Sequence, residues 1–282
     1  MDASDTPSAT AEANEVTASP ALVLAERTDS GILRLTMNRP ERRNCLSEAM
    51  LAALQTAFDD AAADPDVRVI ILAGSGPAFS SGHDMKEMSA RRSDPDRGRA
   101  YFAFVMKTCS RVMQTIVRHP KPVIAEIAGI ATAAGCQLAA SCDLVVAARS
   151  AQFATPGVNI GLFCSTPMVA LSRAVSHKHA MEMLLTGEMT SADRAHEIGL
   201  VNRVVDDADL GSETAALAKI LAEKSAHTLK IGKQAFYRQA EMALEDAYAY
   251  CADVMVENML ARDAEEGIGA FLEKRPPVWQ DE

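Results

Sequence analysis

The run Pro122–Ala148, PVIAEIAGIATAAGCQLAASCDLVVAA, decides how the rest of the chain is read. Val123, Ile124 and Ile127 form a short apolar stretch with β-branched residues, the mark of a buried strand. It ends at Gly129. Small residues crowd from Ala131 to Gly135, and Leu138, Ala139 and Cys142 then recur at helical spacing. Asp143 leads into a second strand at Leu144-Val145-Val146. Small side chains at a strand-to-helix turn let a ligand approach the backbone, and a helix start carries N–H groups without partners. The dipole there favours negative charge. A carbonyl oxygen that gains charge during reaction is stabilised at such a place. Tight helix-on-strand packing with no ligand explains the same composition.

A companion stretch lies upstream, Ala73–Met88, AGSGPAFSSGHDMKEM, after the apolar run Val67–Leu72. Gly74, Gly76 and Gly82 mark it as a turn-rich loop. It lacks the Lys-Ser/Thr of a nucleotide P-loop, and its glycines do not fit the dinucleotide fingerprint. Two glycine-rich turns after two strands can each offer one N–H to a single oxygen.

Outward from these, Leu22–Arg27 and Ile32–Met37 flank Thr28-Asp29-Ser30-Gly31, a hairpin signal. Ser47 caps a helix in which Met50, Leu54 and Phe58 repeat every four residues, stopped by Asp64-Pro65-Asp66. Arg91–Arg99 reads as a mobile polar loop, and Ala100–Arg118 as a long helix. Ala151-Gln152-Phe153 and Val158-Asn159-Ile160 read as extended pieces, and Thr166-Pro167 as a capped helix start. Ala180–Leu185 and Ser191–Ile198 are helical, and Leu200–Val205 is a last strand. From Asp207 onward the pattern is almost wholly helical, so three parts are expected: a disordered tail over 1–20, an α/β core over 21–206, and a helical region over 207–282.

The 282 residues are 48% hydrophobic, ample for a large core, and carry a net charge of −10, which argues against generic nucleic-acid binding. No apolar run approaches the roughly 20 residues of a membrane span. Six cysteines form no CxxC pair and no zinc spacing, so reduced thiols, no metal and a cytoplasmic location are expected. The acidic first residues, without Arg, resemble neither a mitochondrial presequence nor a secretory signal.

Taken together, AFSSGHDMKEM, PVIAEIAGIATAAGCQLAASCD, AQFATPGVNIGL and AFLEKR resemble the enoyl-CoA hydratase/isomerase (crotonase) superfamily, over nearly the whole chain from Leu22. The resemblance implies an α/β spiral of ββα units with a helical C-terminal trimerisation region, giving a homotrimer or a dimer of trimers. It implies an acyl-CoA thioester substrate, with coenzyme A part of that substrate and no separate cofactor, and lyase or isomerase chemistry. Its two oxyanion-hole N–H groups fall on His83 and Ala134. Arg42 and Arg43 match positions near the CoA phosphates, and Ser81, Asp84 and Met85 flank the adenine side. Asp84 could equally fix its own turn. Cys45, Gly135 and Pro156 complete the substrate-binding set, and Phe271 and Lys274 match tail residues that reach the adenine and phosphates, in some members from a neighbouring subunit.

The departures carry more weight than the matches. Hydratases of the family place two glutamates to hold and activate water, where this chain has Gln137 and Gly157. Gln can hydrogen-bond a water but cannot take its proton at neutral pH, and Gly does neither. Three substitutes are open: Glu126 on the central strand, Cys164 as a nucleophile with His83 as its base, or Ser165, which could orient a water or merely assist the helix cap at Thr166. The functions that follow are a family enzyme with an unidentified base, a non-catalytic acyl-CoA binding protein, or a thioesterase.

Overall fold

The computed structural model describes residues 21–282; the tail read as disordered, 1–20, lies outside the described residues. The expected hairpin forms, with β1 (Val23–Arg27) antiparallel to β2 (Ile32–Met37). Ser47 starts α1 (Glu48–Ala63) by accepting the Met50 N–H at 3.2 Å, and Met50, Leu51, Leu54 and Phe58 bury its inner face. There follow β3 (Val69–Gly74), β4 (Ala78–Ser80), α2 (Met85–Ala90), α3 (Arg99–Arg118), β5 (Val123–Ile127), β6 (Ile130–Thr132) and α4 (Ala134–Ser141). Next come β7 (Leu144–Ala148), β8 (Gln152–Ala154), α5 (Pro167–Ala174), α6 (His177–Thr186), β9 (Thr190–Ser191), α7 (Ala192–Glu197) and β10 (Arg203–Val205).

Two sheets result, one in the order β1-β2-β3-β5-β7-β10 and one in the order β4-β6-β8-β9. Every pairing from β2 to β10 in the first sheet is parallel. β3, β5 and β7 lie in the first sheet and β4, β6 and β8 in the second, so β3–β4–α2, β5–β6–α4 and β7–β8–α5 repeat one ββα unit. The chain winds as the spiral of ββα units that the resemblance implies, and the central strands β3 and β7 read as continuous apolar runs, interrupted in β5 only by Glu126.

The C-terminal helices are α8 (Leu210–Ala222), α9 (Ala226–Gln239), α10 (Leu244–Leu260) and α11 (Arg262–Glu273). Leu210, Leu217, Ala218 and Ala222 of α8 join the same core as the sheet, so packing continues past the 206/207 boundary. On α9, the Lys233 ammonium donates to the carbonyls of Ile116 (2.9 Å) and Lys121 (3.0 Å) and to Asp143 Oδ2 (2.7 Å). Asp143 also accepts the Tyr237 hydroxyl at 3.0 Å and the Val123 N–H at 2.7 Å. Burial raises the Asp143 pKa against the opposing pull of Lys233. One carboxylate thus ties α9 to both ends of the Val123–Asp143 stretch.

Three local expectations are corrected. Val158–Ile160 is not extended: Pro156–Ile160 is a 3-10 turn, closed when the Leu162 N–H donates to the Gly157 carbonyl at 2.9 Å. Arg91–Arg99 is held rather than free, since Asp96 accepts the N–H groups of Gly98 (2.9 Å) and Ala100 (2.8 Å) and Arg91 stacks 4.7 Å above the Tyr101 ring. Thr166 precedes α5 with helical backbone angles and makes no side-chain cap bond; Pro167 alone supplies the start.

Candidate active site

Two turns meet beyond β4 and β6. Gly82 has φ 87°, and a Cβ built there would lie 2.9 Å from the Ala133 methyl and 3.1 Å from Ala134 N. Only glycine fits so close an approach at that φ. Gly135 packs as tightly onto β4, since its Cβ would meet the Ser80 carbonyl oxygen at 2.2 Å. The next residues after the contacting pair are His83 and Ala134, so their N–H groups are neighbours. Neither N–H donates to a protein acceptor among the described residues, and α4 begins without a side-chain cap. Ala134 is 1% exposed. Unpartnered donors at a buried helix start are what an oxyanion requires.

Ala133 holds this arrangement at φ 51° and ψ −118°, a region ordinarily left to glycine. Such a backbone costs on the order of 1–3 kcal/mol. It persists because the Ala133 N–H donates to the Ala154 carbonyl at 2.9 Å while its own carbonyl accepts the Gln137 N–H at 3.1 Å. Neither the Gly82–Ala133 contact nor this strain has a signal in the sequence beyond the crowding of small residues.

At the positions of the family's glutamates, the Gln137 side chain is 4% exposed and its Oε1 has no hydrogen-bond partner. Gly157 sits in the 3-10 turn, where a Cβ would fall 2.7 Å from the Leu162 carbonyl oxygen and 2.9 Å from Cys164 Sγ. The thiol and a backbone carbonyl therefore fill the space in which a side chain at 157 would begin.

The three substitutes fare differently. Glu126 is engaged elsewhere: Arg34 donates to both its oxygens, at 2.6 and 2.8 Å, across the first sheet. Cys164 has its thiol pKa pushed up by burial, only partly offset by the Gly157 N–H, and no hydrogen bond links it to His83. The nucleophile–base pair is not assembled. His83 Nε2 is buried without a partner, and burial pulls the imidazole pKa down to about 4, so the ring is neutral near pH 7. Ser165 is exposed and donates to the Phe163 carbonyl at 3.4 Å, away from any cap of α5.

On the expected CoA side, Asp84 accepts the N–H groups of Lys86 (3.0 Å) and Glu87 (3.3 Å) and so caps α2. It also accepts the Cys45 thiol at 3.3 Å. Burial alone would raise the Asp84 pKa, but Cys45, the two N–H groups and the Arg42 charge together hold it below the ordinary carboxylate range. Cys45 is pushed up to about 11 by burial and by Asp84. Both side chains thus fix their own turn. Arg42 and Arg43 are exposed, and the Arg43 carbonyl accepts the Ser81 N–H at 3.0 Å, joining their turn to the one bearing His83. Sequence reading missed Asn44, fully buried between them, whose amide donates to the carbonyls of Ser75 (2.9 Å) and Ala78 (2.8 Å). Met85 lies exposed at the start of α2, and Pro156 opens the turn containing Gly157.

Phe271 lies in the last turn of α11 and Lys274 is its C-cap. The tail after α11 is fastened at the opposite end of the sheet: Arg68, just before β3, pairs with Asp281 at 2.5 Å, and the Trp279 indole donates to the Glu223 carbonyl at 2.9 Å. The length of β3, about 20 Å at the rise of a strand, separates that anchor from the glycine-rich turn. Phe271 is 80% exposed.

With this geometry in hand, residues 27–282 match the enoyl-CoA hydratase/isomerase family. The chain belongs to it. It is 49% identical over 252 residues to the human enoyl-CoA hydratase domain-containing protein 3, mitochondrial, covering 89% of this chain and 82% of that protein. A putative enoyl-CoA hydratase of Thermus thermophilus is 37% identical over 243 residues, 86% of this chain and 94% of that one. A crystal structure of an enoyl-CoA hydratase from Mycobacterium smegmatis superposes with a TM-score of 0.87 at 52% identity, covering 92% of this chain and 98% of that one. The human domain-containing protein 3 structure superposes at 0.86, covering 92% and 100%.

The cytoplasmic reading is corrected by these relatives. The human, mouse and rat members of the family at 47–49% identity are named as mitochondrial proteins. Free thiols do not choose between the cytoplasm and the mitochondrion.

Proposed function

We propose that this enoyl-CoA hydratase/isomerase family member binds acyl-CoA thioesters with the thioester oxygen between the N–H groups of His83 and Ala134, and that it is a poor hydratase. One observation carries the reading: the donor turns are intact, while the two places where a hydratase needs carboxylates hold a neutral amide and a glycine backed by Cys164. Polarising the carbonyl survives; activating water does not. The thiol and imidazole of Cys164 and His83 are both neutral near pH 7 and unlinked, so no observation favours thioester hydrolysis. Arg42 and Arg43, exposed beside the pocket turn, are the candidates for the CoA phosphates.

Ala134→Pro tests the pocket. Position 134 is the first residue of α4, where proline suits the helix; it removes the unpaired N–H and puts a ring carbon in its place. The variant, shown by circular dichroism to keep its helices, is expected to bind butyryl-CoA about three- to tenfold more weakly in a calorimetric titration. Unchanged affinity in a folded variant would place the thioester elsewhere.

A further inference from the structure

We infer that the Ala133 methyl is the spacer setting the distance between the two N–H donors, and that its strained backbone is kept for that purpose; the inference rests on the acyl-CoA reading of the pocket. The two donor peptides, Gly82–His83 and Ala133–Ala134, each begin at a residue of one contact. On one side of that contact stands Gly82, with no side chain and φ 87°; on the other stands a single methyl.

The surroundings of the two turns are already fixed. The Leu46 N–H donates to the Gly82 carbonyl at 2.8 Å, and the Ser81 N–H to the Arg43 carbonyl at 3.0 Å. The Ala133 N–H holds the Ala154 carbonyl at 2.9 Å, and Gly135 sits directly on the Ser80 carbonyl. Of the atoms that crowd the Cβ position of Gly82, the Ala133 methyl is the nearest, ahead of Ala134 N and the Thr132 carbonyl oxygen. Glycine would adopt φ 51°, ψ −118° without strain, whereas alanine does not. A residue that costs stability where a better-suited one exists is explained by what its extra atom does. Here it keeps two backbone donors far enough apart to converge on one oxygen, at the 2.7–3.1 Å that such a site needs. Ala133 therefore acts through His83 and Ala134 and is a positioning residue.

Ala133→Gly separates this role from mere packing, because strain and function move in opposite directions. Three quantities are measured on the full chain: Tm, the affinity ratio of butyryl-CoA to S-butyl-CoA, the thioether lacking the carbonyl, and the carbonyl stretch of bound butyryl-CoA by difference infrared spectroscopy. The expected result is a Tm higher by about 2–4 °C, as strain is released. The affinity ratio is expected to fall about three- to tenfold, with the carbonyl band moving back toward its position in water. A variant with the wild-type ratio and carbonyl band would overturn the spacer role. A lower Tm, or failure to fold, would overturn the strain on which it rests. Failure of the pocket reading is distinguishable, because it shows in the wild-type protein: no binding of butyryl-CoA, or binding with no shift of its carbonyl band.

Discussion

At the scale of single residues, the site is defined by atoms lacking partners and by glycines lacking room. Gln137 and Gly157 stand out in the sequence alone, because the chemistry of hydration names the residue types that must be there. Their surroundings do not. That Cys164 Sγ and the Leu162 carbonyl occupy the space at Gly157 follows from a 3-10 turn where the sequence reads as extended. The obstacle to a side chain at 157 is thus contact and not a positive φ. Gly157→Ala is expected to destabilise the protein by about 1–3 kcal/mol, read as a lower urea midpoint at unchanged slope. A midpoint equal to wild type would mean that the turn yields easily. Glu126 shows the opposite limit: it looks like a free acid on a central strand, but its partner Arg34 lies 92 positions away and only the strand order brings them together.

At the scale of elements, long periodic segments are legible and short ones are not. The helices α1 and α3 and the strands β2, β3 and β5 follow directly from their apolar spacing, whereas β4 and β6 span three residues each, too few for any period to register. Those two strands belong to the second sheet and aim the donor turns. His119, which follows α3, illustrates how elements are joined by buried polar groups. It is 2% exposed, its Nε2 donates to the Phe58 carbonyl of α1 at 3.1 Å, and its Nδ1 accepts the Lys121 N–H at 3.2 Å. The bond accepted at Nδ1 needs the neutral ring, and burial lowers the pKa from 6.5 to about 4. The folded state then binds fewer protons than the unfolded state between those values. Its stabilising contribution is complete above pH 6.5 and is lost as pH falls toward 4, by at most about 3 kcal/mol. Urea unfolding at pH 7, 5.5 and 4.5 is expected to show this fall, with a shallower pH dependence in His119→Asn. Equal slopes in the two proteins would remove His119 as a source.

At the scale of the whole molecule, the spiral of ββα units is what the family resemblance implies, and the C-terminal helices are readable from their helical pattern. How those helices are used was not readable, because an amphipathic stripe does not say which surface covers it. Part of it covers the sheet, through α8 and the Lys233–Asp143 pair. Another part stays open: Leu244, Leu260, Phe271 and Leu272 are 76%, 77%, 80% and 73% exposed. So large an apolar surface on adjoining helices suits a second copy of the chain. Multi-angle light scattering is expected to give a trimer or hexamer at micromolar concentration, and the double variant Phe271→Glu with Leu272→Glu a smaller species. A monomeric wild type would contradict this assembly, and with it any reach of Phe271 and Lys274 into a neighbouring pocket.

The most direct measurement is the hydration rate of crotonyl-CoA by wild type and by Gln137→Glu, followed as loss of enoyl absorbance, with butyryl-CoA affinity determined in parallel. If the missing carboxylate is what limits the chemistry, wild type binds the thioester but turns crotonyl-CoA over slowly. Gln137→Glu then binds butyryl-CoA with similar affinity and hydrates at least about tenfold faster, up to the roughly 10²–10⁴-fold that one general acid–base group supplies. Fast wild-type hydration that Gln137→Glu leaves unchanged would contradict the account and would mean that another residue serves as the base.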